Sequence, residues 1–285
     1  MLFWNARGLE GSLQAVTELL VTRKVGIAAF METHSYGENF ATQVPGNWYW
    51  LAGPELLPNL GGSVPRRGLG ALINGDQFPG GSVLRKFKYS YWLRIPGGQS
   101  KIALIVCVAH VPVYESTEYS KRDRKLAFDE LAQGLELYRG MGVLALVGDF
   151  NSRTAMNGDT EFKTCGRQLL DFANDNGLVV VNSLDEICSG KFTRVMQCVR
   201  DGAVCLDQTT IDYALTNLCN EDSAVSLTIL EDSMLDSDHR PMLYSMRWNV
   251  GINKYDSTSN RSALKLKYKL QARSKYILPT RLKTV

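Results

Sequence analysis

The sequence predicts an α/β domain built on mixed β-sheets. Short apolar runs rich in β-branched residues outnumber the stretches with helical spacing. Several runs are joined by segments too short to hold a crossover helix, which requires antiparallel neighbours beside any parallel ones. The long runs around Ile102–Val108 and Val143–Val147 carry almost no polar residues and read as strands buried on both faces.

The elements follow in order. Met1 to Asn5 reads as a strand that starts almost at the first residue. Ser12 to Lys24 has helical spacing, with Leu13, Val16, Leu19 and Leu20 on one face and Ser12 as N-cap. Val25 to Met31 is an apolar run ending at Glu32, a strand leading into a loop. Pro45 to Pro65 holds Trp48, Tyr49 and Trp50 and then a Gly/Pro/Asn-rich stretch, and reads as loop. Gly68–Asn74, Tyr91–Ile95 and Lys101–Val111 are strand candidates, the last a central one. Ser120 to Tyr138 is the clearest helix, with Leu126, Leu131 and Leu135 between charges. Gly142 to Val147 is a strand that delivers Asp149 and Asn151. Cys165 to Asn176 reads as a helix stopped by Gly177. Leu178–Val181, Ile211–Thr216, Val225–Leu230 and Met242–Trp248 complete the strands. No linker precedes Asn249, so one domain is expected over 1–248, followed by a tail over 249–285.

Composition narrows the function classes. After residue 250 there are nine Lys/Arg and one Asp, a net of +8, whereas the first 250 residues carry 23 basic and 28 acidic residues, a net of −5. An acidic body suits a cation-binding cleft, and a basic tail suits a phosphate-seeking arm or a solvated end. No run of about 18 apolar residues exists, so no membrane span is expected. The N-terminus lacks the basic region of a signal peptide. The six cysteines form no Cys-x-x-Cys pair, which excludes a zinc ribbon or thioredoxin-type motif and points to thiols in a reducing compartment. Cys107 sits in an apolar run as a core residue.

The chemistry-bearing residues fall at strand ends. Asn5 closes the first strand, and alone it reads as a turn or cap. Glu32 follows the second. In Gly148-Asp149-Phe150-Asn151, alternation along an extended segment puts Asp149 and Asn151 on one side and Phe150 on the other. Asp149 can then accept a proton from water while Asn151 orients water or phosphate. Thr209-Thr210-Ile211-Asp212-Tyr213 and Ser237-Asp238-His239-Arg240-Pro241 lie at the start of strands. Carboxylate, amide and imidazole groups gathered this way are what hydrolysis of a phosphate ester needs.

Together the strings Leu2-Phe3-Trp4-Asn5, Met31-Glu32-Thr33-His34, Gly148-Asp149-Phe150-Asn151, Ile211-Asp212-Tyr213 and Ser237-Asp238-His239 resemble, in order, the motifs of the endonuclease/exonuclease/phosphatase superfamily, the deoxyribonuclease-I-like fold. The nearest likeness is to the endonuclease domain of non-LTR (LINE-type) retrotransposon proteins. The resemblance implies two stacked mixed β-sheets flanked by helices, a four-layer α/β sandwich, with the site at one rim between the sheets. It implies that Glu32, with Asn5 and Asp238, holds Mg²⁺ (or Mn²⁺), since all are hard oxygen donors. It makes Asp149 the base, Asn151 its partner, and His239, oriented by Asp212, the group that meets a phosphate oxygen. It assigns Thr193 to the neighbourhood of a DNA phosphate, with the hydroxyls of Thr209 and Ser237 as further substrate contacts; His34 is expected to play a supporting part.

Two departures stand out. Ala109-His110-Val111-Pro112 puts His110 where retrotransposon and repair enzymes have a tyrosine that touches the scissile phosphate, and Ala6-Arg7 replaces an Asp of abasic-site repair enzymes. The expectation is a Mg²⁺-dependent endonuclease that nicks DNA, in the nucleus if the target is chromosomal, with no stable protein partner. Family proteins continue into a reverse transcriptase, so a chain stopping at Val285 is expected to be a fragment or a domesticated copy. The alternatives are another phosphoesterase of the superfamily, acting on a nucleotide or lipid, and an inactive relic that only binds nucleic acid.

Overall fold

The chain is described here by a computed structural model covering residues 1–34, 41–54, 68–97, 102–114, 117–200, 202–217, 225–231 and 235–247. The tail 249–285, Trp248 and the expected domain boundary lie outside the described residues.

Two mixed sheets stack face to face. In the first, Leu2–Asn5 (β1) runs parallel to Ile27–Met31 (β2). The sheet continues past β2 through Leu69–Asn74 (β4) to Trp48–Ala52 (β3). On the other side of β1 lie Met242–Met246 (β15), Val225–Ile229 (β14) and Cys188–Ser189 (β10). The second sheet also has a parallel pair at its centre, Ala103–His110 (β7) beside Gly142–Asp149 (β8). Ser90–Ile95 (β6) and Ser82–Lys86 (β5) extend it on one side, and Asp212–Thr216 (β13) and Val179–Val180 (β9) on the other. A separate hairpin, Arg194–Arg200 (β11) and Ala203–Thr209 (β12), stands apart from both sheets.

Strand alternation builds the layers. Phe3, Ala29 and Met31 point from the first sheet into a core shared with Leu93, Val106, Val108, Ala145 and Val147 of the second. Leu2, Trp4, Ala28 and Phe30 point the other way and are covered by Val16 and Leu20 of the helix Leu13–Thr22 (α1). On the outer face of the second sheet, Trp92, Ile105, Cys107, Leu144 and Leu146 meet the helices Glu118–Tyr138 (α2) and Thr164–Asp175 (α3) through Phe128, Leu131, Leu135 and Leu169. Each fully buried aliphatic side chain contributes roughly 1.5–3 kcal/mol. The result is the helix–sheet–sheet–helix stack expected from the sequence.

The differences have local causes. Trp48, Tyr49 and Trp50 form an edge strand and not a loop, because their half-buried rings cover β4 next door: a Cβ on Gly70 would overlap the Trp50 ring. β5 and the β11–β12 hairpin carry polar or exposed residues on much of their surface, so no apolar run marks them. α2 begins two residues before Ser120, with Thr117 Oγ1 accepting the Ser120 amide at 3.2 Å as its cap. Ser12 precedes α1 but makes no side-chain cap bond. The segment at 178–181 pairs only over two residues and then turns. Gly177, at φ +63°, terminates α3 as expected.

Candidate active site

The two central parallel pairs bring their C-terminal ends to one place. β1 ends at Asn5, and Glu32 follows β2; β7 ends at His110 and β8 at Asp149, which face each other in register. β13 runs antiparallel to β8, so its first residue, Asp212, lies opposite Asp149. A loop ending in His239 comes in beside β15. Strand polarity alone thus explains why residues spread over 235 positions meet.

Local backbone geometry turns these side chains inward. Gly148, at φ +149°, precedes Asp149, and a Cβ there would sit 1.9 Å from the Ala109 carbonyl oxygen. Arg7, Glu32, His34 and Asn151 all adopt the left-handed region, at φ +47°, +49°, +51° and +45°. Four such residues around one point is strain concentrated where a site needs it. The chain therefore leaves the strand at Asp149, and simple alternation does not reach Asn151. The two are joined instead by the Asn151 amide, which donates to Asp149 Oδ1 at 2.9 Å, while Asn151 Nδ2 donates to the Val111 carbonyl at 2.9 Å.

At the centre, the buried Asn5 amide bridges two carboxylates. Its Nδ2 donates to Asp149 Oδ2 at 3.0 Å and to Glu32 Oε1 at 3.2 Å. His110 Nε2 stands 3.4 Å from Glu32 Oε1 and 4.0 Å from Asp149 Oδ2. His34 Nε2 is 3.6 Å from the other Glu32 oxygen. His239 Nδ1 faces both oxygens of Asp212, at 3.1 and 3.0 Å, and its Nε2 is 3.9 Å from Asp149 Oδ2. The Asp212 contact fixes the ring so that Nε2 faces Asp149.

The electrostatics follow from burial and neighbours. Burial pushes Asp149 up to about 7, and the nearby Asp212 charge adds to the rise. Burial alone would make His239 harder to protonate, but the charge and hydrogen bond of Asp212 outweigh it and hold the imidazole at about 9. Glu32 also resists ionisation through burial, yet His110 and the Asn5 hydrogen bond keep it below its ordinary range. Three carboxyl groups, Glu32, Asp149 and Asp212, thus surround the His239 imidazole, with Glu32 held ionised and His239 held protonated. Hard oxygen donors fit a divalent cation, and Glu32, His110 and Asp149 present donor atoms within 4.8 Å of one another.

The other expected residues have different positions. Asp238 gives Oδ1 to Arg7 Nη1 at 2.8 Å and Oδ2 to Arg194 Nε at 2.7 Å, so both oxygens are held by guanidinium groups. Burial opposes its ionisation, but His239, Arg7 and Arg194 keep it low. These contacts tie the His239 loop to Arg7 and Arg194. Thr193 is fully buried, and its hydroxyl accepts the amides of Ile211 and Asp212, both at 3.0 Å, so it supports Asp212. Ser237 is likewise committed: its hydroxyl donates to the Asn5 carbonyl at 2.8 Å and accepts the His239 amide at 3.1 Å. Thr209 Oγ1 is buried without a hydrogen-bond partner among the described residues.

Two supporting residues were not singled out from the sequence. Trp4 Nε1 donates to the His239 carbonyl at 3.0 Å, pinning the imidazole loop to β1. Arg124, 1% exposed on α2, donates to the Pro112 and Phe150 carbonyls at 2.8 and 3.1 Å and to Ser152 Oγ at 2.6 Å. It thereby clamps the turn that follows Asp149. A mid-helix Arg is ordinarily a surface residue; its apolar neighbours Ala127, Phe128 and Leu131 on the same face are the one sequence sign of its burial.

No protein-family model matches the sequence, and no curated protein matches it. Solved structures do. The endonuclease domain of TRAS1, a telomere-specific non-LTR retrotransposon, superposes with a TM-score of 0.58 at 16% identity, covering 86% of this chain and 97% of that one. The 3′ phosphatase NExo from Neisseria, bound to product DNA hairpin, gives 0.60 at 16% identity over 87% and 98%. A mannosyl-6-phosphatase from Bacteroides thetaiotaomicron gives 0.58 at 13% over 87% and 99%. The chain has the fold of endonuclease/exonuclease/phosphatase proteins, as its motifs suggested.

Proposed function

We propose that this protein is a metal-dependent phosphodiester hydrolase that nicks DNA, of the kind encoded by non-LTR retrotransposons. The observation that carries the reading is the convergence of Asn5, Glu32, Asp149, Asp212 and His239 on one point, with Asp149 and His239 held 3.9 Å apart. Glu32 and Asn5, with His110 alongside, would hold Mg²⁺; the imidazole nitrogen makes Mn²⁺ an effective substitute. A cation held there would supply Lewis-acid polarisation of the phosphate.

The chain's own groups supply the rest. Asp149, buried and with its proton affinity raised, takes the proton of the attacking water. The Asn151 turn fixes one Asp149 oxygen and leaves the other toward His239. His239, kept protonated by Asp212, donates Nε2–H to the charge that builds on the phosphate oxygens. DNA as the substrate rests on the motif likeness and on two similar structures, one a retrotransposon endonuclease domain and one a phosphatase carrying a DNA product. A second reading, hydrolysis of a small phosphate monoester, is favoured by His110 in place of a tyrosine and by the similarity to a sugar phosphatase.

The test is nicking of supercoiled plasmid with Mg²⁺, with EDTA and with Asp149→Ala, beside hydrolysis of a chromogenic phosphate monoester. Nicking that needs both metal and Asp149 supports the nuclease; monoester turnover without nicking supports the second reading. Salt-sensitive DNA binding with neither activity would refute both and mark an inactive relic.

A further inference from the structure

The β11–β12 hairpin carries a feature the proposed reaction does not use. Cys198 on β11 stands directly opposite Cys205 on β12, and their sulfurs are 2.7 Å apart although neither is disulfide-bonded. Residues paired across antiparallel strands have Cα atoms about 4.5–5.5 Å apart, inside the window of about 4.4–6.8 Å that a disulfide spans. Both cysteines are partly exposed, unlike Cys107 and Cys165, which are buried. A small oxidant can therefore reach this pair and not the core thiols.

The hairpin also has reason to need a staple. It belongs to neither large sheet, and a two-stranded ribbon by itself is marginal in water. Its outer half exposes Val199, Val204 and Leu206, at 70%, 72% and 57%, so no core holds it there. Its base is anchored. Arg194 Nε meets Asp238 at 2.7 Å, and the Val195 amide donates to the Asp238 carbonyl at 2.7 Å. Thr193 before the hairpin and Thr210 and Asp212 after it belong to the site wall.

We propose that Cys198 and Cys205 are a reversible oxidation site, converted to a cross-strand disulfide by thiol–disulfide exchange with a low-molecular-weight disulfide such as oxidised glutathione. The thiolate of one cysteine attacks the glutathione disulfide, forming a mixed disulfide and releasing one glutathione thiolate. The facing thiol, as its thiolate, then displaces the second glutathione. The protein loses two hydrogens, and one glutathione disulfide is reduced to two thiols, so electrons and atoms balance. The product closes the outer half of the hairpin, while the anchored base and the residues at the centre of the site are untouched.

The test uses the full chain incubated in glutathione redox buffer, quenched by alkylation and digested with trypsin, which cuts after Arg200 between the two cysteines. In excess oxidised glutathione, the peptide 195–200 should remain joined to the following one, the pair about 2 Da lighter than the sum of its thiol forms. Reductant should release it. Cys205→Ser, which is conservative and outside the site, should abolish the link and leave Cys198 as a stable glutathione adduct; this also excludes pairing with Cys219 on the same downstream peptide. Amide exchange over 198–205 should slow on oxidation. A wild-type protein that keeps both thiols alkylatable or accumulates the mixed disulfide, or a Cys205→Ser protein that keeps the link, would overturn the proposal. Plasmid nicking is not part of the readout, so failure here is separable from failure of the nuclease reading.

Discussion

Replacing Asp212 by Asn tests the proposed roles of two residues at once. The amide is nearly isosteric, and its oxygen can still accept the Nδ1–H of His239, so the geometry at 3.0 Å is kept while the charge is lost. With Asp212 present, His239 titrates at about 9. Without it, burial is the largest remaining influence and pulls His239 down toward its ordinary range, against the smaller opposing charges of Asp149 and Asp238. A full return to the ordinary 6.5 would drop the protonated fraction at pH 7.5 from nearly all to about a tenth, a loss of about tenfold from protonation alone. Asp149 shifts too, because the Asp212 charge is the second cause of its rise. Both limbs of the rate profile therefore move toward acid. The assay is single-turnover nicking of supercoiled DNA at saturating Mg²⁺ from pH 5 to 10. Wild-type protein should show an alkaline limb near 9, and Asp212→Asn an alkaline limb displaced toward acid by up to about two pH units (about 1.4 kcal/mol each). A uniform drop with the alkaline limb unmoved would refute the argument, since it would make Asp212 a structural support and nothing more.

Other consequences are equally direct. Asp149 has a folded-state pKa above its unfolded value, so the unfolded chain gives up that proton first as pH rises, and stability falls between about 4 and 7. Asp149→Asn should therefore melt a few °C higher than wild type at pH 8 in EDTA, with the gap closing by pH 4, while nicking is lost; a lower melting temperature at pH 8 would contradict the burial account. Arg124→Met should cost about 3–5 kcal/mol in urea unfolding, because it leaves the Pro112 carbonyl and the Ser152 oxygen without their donor and takes from the Phe150 carbonyl one of its two, the Ser152 hydroxyl being the other; an unchanged midpoint would show the clamp is idle. Thr193→Val keeps volume but strands the amides of Ile211 and Asp212, so the urea midpoint should fall with unchanged slope, by roughly 2–4 kcal/mol.

What the sequence made legible was chemistry attached to strong patterns. The apolar run ending at Asp149 and the strand ending before Glu32 announced both buried strands and the polar groups at their ends, since a strand core and a charged terminus differ sharply in composition. The asymmetric elements were harder. β3 hides in an aromatic-rich segment flanked by turn residues, and β11 and β12 have no buried face to pattern them. The contacts of Asp238 and Thr193 were not legible, for one shared cause. Spacing places a residue near a site, but the choice between facing inward and bonding to a neighbour was settled by Arg7, Arg194 and two backbone amides from distant segments.

The same contrast explains the architecture of the site. A parallel strand pair ends both its C-termini on one edge of a sheet, and each of the two sheets has one such pair at its centre. Stacking the sheets so that these edges coincide gathers Asn5, Glu32, His110 and Asp149 without any long loop. The antiparallel β13 then adds Asp212 from a strand start, directly across from Asp149. Burial is the larger source of the raised Asp149, the Asp212 charge opposed to it in register adds to the rise, and the same Asp212 charge keeps His239 protonated. The electrostatic setting proposed for the reaction is thus a consequence of strand polarity and register. A substitution that slid β13 by one residue would move Asp212 to the other face of the sheet and dismantle the site without altering any of its residues.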